Sequence, residues 1–123
     1  MLDRASRGEC SWEQIASWTS DAPARVWGIV GKGRIAVGYD ADLVLVDPHE
    51  VRTIQNEKQF TKSKWSPWAG QSLRGWPKRV LVGGRTVFCD GKIATDRPAA
   101  LLQFDHELGG YWKTQDGVGP RPN

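Results

Sequence analysis

The sequence predicts an α+β protein: a small, mostly-β, sandwich-like sheet preceded by one or two short helices. Three observations carry that reading. Residues 43–46 (Leu43, Val44, Leu45, Val46) form an unbroken apolar run bracketed by Asp42 and by Asp47-Pro48. Gly83-Gly84 separates two strand-like runs at the spacing of a two-residue hairpin, which needs positive φ at both positions. Ser11, followed three residues later by Gln14, has the pattern of a capping box at a helix start.

Residues 1–28 read as helical. Ser11 caps the first helix while Gln14 reaches back to the cap's own N–H, and Cys10 and Ile15 take the two staple positions. Trp12, Ile15, Ala16 and Thr19 form the stripe expected to pack on something larger. A second short helix follows, with Pro23 in its first turn, Asp21 or Ser20 as cap, and Gly28 as the left-handed residue beyond its end. Two short helices carrying Trp12, Trp18 and Trp27 bury little among themselves and read as built to dock.

Gly31, Gly33 and Gly38 then punctuate the chain, and Asp40 stands where a turn-forming side chain is expected. In residues 43–46, length and composition favour a strand over a helix. Strand side chains alternate between faces, so four apolar residues in a row ask for cover above and below the sheet. Asp47-Pro48 is expected to end that strand, and residues 51–54 form a weaker second one.

Residues 55–77 show no period and are long for a loop inside a compact domain. They carry Trp65, Trp68 and Trp76 among Pro67, Pro77, Gly70 and Gly75, so the loop is expected to pack down onto a surface. Residues 79–82 and 85–89 make the hairpin, Asp90-Gly91 makes a second tight turn into Lys92-Ile93, and the whole reads as a meander on the sheet of residues 43–46. Leu101, Leu102 and Phe104 could form one helical turn; Tyr111 and Trp112 are expected to touch the body or a neighbour, ahead of a loose end. The organisation is thus a helical segment 1–30, a small β-domain 31–96 with a long Trp-rich loop 55–77, and a largely irregular tail 97–123.

A chain of 123 residues with 39% hydrophobic residues and seven tryptophans is one domain's worth, with a modest core. It contains no apolar run near the roughly 20 residues of a membrane span, and no apolar h-region follows Met1, so secretion is not expected. Cys10 and Cys89 match no metal or redox spacing and read as two reduced thiols in a cytoplasmic protein. The net charge of +3 is too small to name a partner.

Chemistry is mostly absent. A hydrolytic metal centre needs several converging His, Asp, Glu or Cys ligands. His49 and His106 are far apart, and neither has a His or Cys two to four residues away. Asp40, Asp42 and Asp47 could suggest paired carboxylates, but turn and strand-end roles explain them more simply. Ser66 and Ser72 lack a candidate base, and Lys32-Gly33 lacks the spacing of a phosphate loop. No catalytic, cofactor-binding or metal-ligating residue is assigned. Between Lys58 and Phe88 stand seven basic residues (Lys58, Lys62, Lys64, Arg74, Lys78, Arg79, Arg85) and no Asp or Glu. Interleaved with Trp65, Trp68 and Trp76 they would suit single-stranded nucleic acid. No nucleic-acid signature accompanies them, and ion pairs to acidic residues on a neighbouring surface are the preferred reading.

Together, several runs resemble the closing segment of amidohydrolase-superfamily enzymes. They are Ala24-Arg25-Val26-Trp27-Gly28, then Gly31-Lys32-Gly33-Arg34-Ile35-Ala36-Val37-Gly38, then Asp40-Ala41-Asp42-Leu43-Val44-Leu45-Val46-Asp47-Pro48. Downstream, Thr61-Lys62-Ser63-Lys64-Trp65-Ser66-Pro67-Trp68-Ala69-Gly70 and Gly75-Trp76-Pro77, before a hairpin ending Asp90-Gly91, tilt the resemblance toward the dihydroorotase branch of the cyclic amidohydrolases. Ala22 stands where Asn is usual before that Pro. The resemblance covers roughly residues 9–93.

It implies a metal-dependent (β/α)₈ barrel with a small β-sandwich assembled from both ends of the chain. The metal ligands of that family (a His-x-His, a modified Lys, two further His and an Asp) match no residue of this sequence. Residues 11–28 match the last barrel helix and residues 33–95 the C-terminal share of the sandwich. The resemblance therefore implies the C-terminal portion of a dihydroorotase-like enzyme of pyrimidine biosynthesis, inactive by itself, with zinc only in full-length relatives. Its expected partner is the remainder of a barrel, or a second copy through an open sheet edge. A docking module for a separate barrel subunit and a basic, Trp-rich nucleic-acid binder are the alternatives.

Overall fold

The structure, a computed structural model, describes residues 1–94 and 100–105. Its helical part opens with α1 (Leu2–Ser6) and α2 (Trp12–Ala16). The capping box forms as the spacing predicts: Ser11 Oγ accepts from the Gln14 N–H at 3.2 Å, and Gln14 Oε1 accepts from the Ser11 N–H at 2.8 Å. The expected break before Pro23 does not occur. A π-helical turn, Ser17–Asp21, runs directly into α3 (Ala22–Val26), and neither Ser20 nor Asp21 caps anything. The physical reason is Pro23 itself. It has no N–H and its ring crowds the carbonyl one turn back, and a wider π turn relieves that conflict without leaving the helix.

Asp21 is used elsewhere. Its carboxylate receives Arg25 Nη2 at 2.8 Å and Arg34 Nε at 2.7 Å, tying the helical rod to the glycine-rich turn beyond it. Gly28 ends the rod at φ +62°, in the left-handed region expected of it.

The sheet is a four-stranded antiparallel meander in the order β1-β2-β3-β4: Leu43–Thr53, Ser72–Val82, Arg85–Cys89 and Lys92–Ile93. Both tight turns form with two successive positive φ values, Gly83 (+55°) with Gly84 (+75°) and Asp90 (+45°) with Gly91 (+82°). These are the primed turns whose twist matches the flanking strands. No second sheet faces this one among the described residues, so a single layer stands where the sequence predicts a sandwich-like sheet.

Three expectations are corrected. Asp47-Pro48 does not end the first strand, and residues 51–54 do not form a separate one: residues 51–53 continue β1. Asp47 pairs with Trp76 and Val51 with Arg74, so residues 48–50 bulge opposite Gly75 alone. Asp47 Oδ1 accepts from the N–H groups of His49 (2.9 Å) and Glu50 (3.1 Å), so the bulged backbone is satisfied and pairing resumes. The irregular loop is shorter than residues 55–77, because β2 starts at Ser72 and takes Trp76 into the sheet; a 3₁₀ turn, Asn56–Lys58, interrupts it. Leu101, Leu102 and Phe104 make no helical turn. Phe104 bridges Ile29, and the N–H of Val30 reaches the Gln103 carbonyl at 2.9 Å, because Gly28 leaves an open backbone edge there. Tyr111, Trp112 and most of the tail lie outside the described residues.

The core is thin. Among the described residues only Ile15 and Ala24 are buried apolar side chains, each 8% exposed. Val44 and Leu45, neighbours on opposite faces of β1, are 59% and 49% exposed. Trp65 and Trp68 do not pack down either; both stand exposed. The apolar run is a strand as predicted, but its cover is partial: Leu43 and Val46 are half-buried while Val44 and Leu45 stand exposed on opposite faces. No helix among them is long and apolar enough to cross a membrane.

Candidate functional site

Asp40 and Asp42 converge, and they do so on a lysine. Lys32 Nζ lies 2.9 Å from Asp40 Oδ2 and 2.5 Å from Asp42 Oδ2. Positive-φ glycines on either side, Gly31 and Gly33, fold the turn that places Lys32 there. Asp42 Oδ1 also accepts from the Gly83 N–H at 2.7 Å, and the Gly84 N–H reaches the Ala41 carbonyl at 2.9 Å. The cluster clasps the tip of the β2–β3 hairpin to the start of β1. The two carboxylates hold the Lys32 ammonium above its ordinary pKa, Asp40 most, and Lys32 with the Gly83 N–H holds the Asp42 carboxyl below its own. Both acids are committed to the ammonium, so this is a fastening and not an acid/base pair.

A prediction follows for Asp42→Ala, which removes a charge-assisted hydrogen bond and strands the Gly83 N–H. The site is exposed and water can take the freed N–H, so the cost is expected at about 0.5–1.5 kcal/mol, read from denaturant unfolding. Because the folded pKa of Asp42 is depressed, its contribution is complete above the unfolded value of about 3.9 and is lost as pH falls through the lower folded value. The variant should therefore lose less stability than the parent on acidification below about pH 4; an unchanged acid limb would refute the clasp.

Asp47 is not part of the cluster. Its carboxyl is held low chiefly by the His49 N–H of the bulge. The serines are structural as well: the Ser66 N–H donates to Asn56 Oδ1 at 3.0 Å and its Oγ accepts from Trp68, while Ser72 Oγ sits 2.9 Å from Thr53 Oγ1. His49 is exposed at the bulge, and His106 lies outside the described residues. Both cysteines are free, and the Cys89 thiol donates to Asp90 Oδ2 at 3.4 Å.

The basic stretch is dispersed. Lys78 meets Asp90 at 3.2 Å and Glu50 at 3.7 Å, Lys64 Nζ donates to the Gln59 carbonyl, and Lys58 lines an open groove of about 970 Å³. Sequence reading missed that groove, because it is built across the sheet from Arg52, Phe60, Trp76 and Phe88. Arg52, held by Glu50 at 2.7 Å, lies 5.2 Å from the Trp76 ring centre, and Phe60 meets Phe88 edge to face. The only hint in the sequence was a basic and an aromatic residue on runs that the register later brings together. Glu57 and Asp90 line the same groove, so it is not a cationic track.

The sequence profile of the amidohydrolase family matches residues 1–87, the helical rod together with β1, β2 and the start of β3. The chain belongs to the amidohydrolase family. It is 42% identical over 88 residues to a dihydroorotase of Halobacterium salinarum, covering 72% of this chain and 21% of that protein. It is 39% identical over 85 residues to a D-phenylhydantoinase of Escherichia coli, covering 68% and 18%. Among solved structures, the L-hydantoinase (dihydropyrimidinase) of Arthrobacter aurescens superposes with a TM-score of 0.74 at 28% identity, over 77% of this chain and 22% of that one. The chain thus spans about a fifth of the length of these relatives.

The amidohydrolase family is usually metal-dependent. No group of three or more His, Cys, Asp or Glu among the described residues could hold a metal ion. Asp40 and Asp42 are taken by Lys32, and Asp47 by the backbone of its bulge. These residues do not fit such a metal.

Proposed function

We propose that this chain is the C-terminal, non-catalytic share of a dihydroorotase-like cyclic amidohydrolase. The reaction it serves is the reversible hydrolysis of the cyclic amide of dihydroorotate to N-carbamoyl-aspartate, in pyrimidine biosynthesis in the cytoplasm. The helical rod closes a barrel that carries the metal, and the sheet of β1–β4 is one layer of the adjoining sandwich. On this reading the chain does not turn over substrate by itself, and its partner is the polypeptide bearing the barrel.

The observation that carries the proposal is the 42% identity to a dihydroorotase, set beside apolar side chains open on both faces of β1. The test is an assay of dihydroorotate hydrolysis with added zinc. The purified chain is expected to show no turnover, and mixing it with the Halobacterium salinarum relative lacking its matching stretch should restore it. Turnover by the chain alone would overturn the proposal. A second substrate class is favoured by the D-phenylhydantoinase similarity. Restored activity on a 5-substituted hydantoin and not on dihydroorotate would select it.

A further inference from the structure

We propose that residues 100–105 are a releasable strap, a conformational device that sets how firmly the Lys32 cluster clasps the β2–β3 hairpin.

The strap lies past residues 1–87, the stretch that matches the family profile. It crosses the chain where the helical rod ends. The Val30 N–H donates to the Gln103 carbonyl at 2.9 Å, and the Asp105 N–H donates to the Gly28 carbonyl at 2.8 Å. Between them Ile29 and Phe104 form an antiparallel bridge. The fit is close: a Cβ on Gly28 would stand 2.4 Å from the Asp105 carbonyl oxygen, so the strap can seat only over a glycine. Gly28 thus serves twice, as the left-handed end of the rod and as the floor beneath the strap.

The seat is shallow. Residues 100–104 are exposed and Asp105 is half-buried. A backbone hydrogen bond that replaces one to water stabilises only weakly, and ordering the strap costs conformational entropy that no buried apolar side chain offsets. Seated and released forms are therefore close in free energy, as a two-state element requires.

From Val30 the chain passes directly into the clasp. The carbonyl of the next residue, Gly31, accepts from the Asp40 N–H at 2.9 Å. Lys32 follows, its ammonium on Asp40 and Asp42, and Asp42 accepts from the Gly83 N–H. Gly31 and Gly33, both at positive φ, give this stretch little stiffness of its own. Its position is set from its two ends: Arg34 on Asp21 downstream, and Gln103 on Val30 upstream. Releasing the strap frees the upstream end, so Lys32 holds Asp42 for less of the time.

Amide hydrogen exchange on the full chain, resolved by NMR, tests this. Asp105→Pro removes the N–H that the Gly28 carbonyl accepts, and proline keeps the preceding Phe104 extended as the bridge requires. Exchange at Val30 is expected to quicken about tenfold, and at Asp40 and Gly83 about threefold or more. The Gln14 amide, bonded within the capping box, should keep its parent rate. Gln103→Ala leaves every backbone group in place and should exchange as the parent does at all four amides. An unchanged Val30 rate in Asp105→Pro would show that the strap is not seated, and a quickened Val30 with Asp40 and Gly83 unchanged would show that it does not govern the clasp. If Asp105→Pro speeds Gln14 as well, or prevents folding, the strap is part of the core and not a releasable element. Each of these three results overturns the proposal.

Discussion

Purified alone, the chain is expected to unfold over a broad temperature range, and to melt sharply and at least about 10 °C higher when the barrel-bearing portion of a dihydroorotase is added. The reason is quantitative. Trp12, Trp18, Trp27, Val44 and Leu45 are between 42% and 66% exposed, while the buried apolar core among the described residues amounts to Ile15 and Ala24. Fully burying a large apolar side chain contributes about 1.5–3 kcal/mol, so covering the open half of these five is worth roughly 4–7 kcal/mol. A whole small domain is stable by only about 5–15 kcal/mol. The missing cover is therefore comparable to everything the chain holds by itself. Differential scanning calorimetry and dye binding to exposed apolar surface measure it; a single sharp transition of the isolated chain, with the enthalpy of about 0.7 kcal/mol per residue usual for a folded domain, would refute the expectation.

Gly33→Ala is expected to be the most damaging single substitution in the turn, costing about 2–4 kcal/mol. Two effects add. Gly33 sits at φ +89°, a conformation that strains any residue with a Cβ. A Cβ there would also stand 2.7 Å from Ala24 Cβ and 2.9 Å from the Ser20 carbonyl oxygen, so the turn would have to part from the helical rod. Gly38→Ala is the matched control. Its φ is +84°, but nothing lies within 4 Å of its added carbon, so it should pay the backbone strain alone. Denaturant midpoints of the two variants in the assembled protein give the contact contribution by difference, and equal losses would show that Gly33 does not hold rod and turn together.

Local rules read well where the chemistry is local. The Ser11–Gln14 box, the left-handed Gly28 and both primed turns depend on residues within a few positions of one another, and all form. Reading failed where a distant strand settles a local choice. Asp47-Pro48 looked like an end, yet β2 runs unbroken past it and recaptures Val51 through Thr53. Pro23 looked like a start, yet a π turn absorbs its missing N–H and bulky ring, and the helix runs on through it. Trp65 and Trp68 read as packed because rings in loops usually are, but packing needs a second surface.

By itself the sequence determined the capped first helix, the apolar strand at residues 43–46, the hairpin turns and the kinship with cyclic amidohydrolases, because those reside in short-range patterns. Tertiary structure alone decided that Asp40 and Asp42 close on Lys32 and hold the Gly83 turn, that Arg52 meets Trp76, and that β1 is an outer strand with Val44 and Leu45 open on opposite faces. Each of these is a meeting of residues that only the pairing register brings within reach, and no spacing along the chain encodes a distance across it.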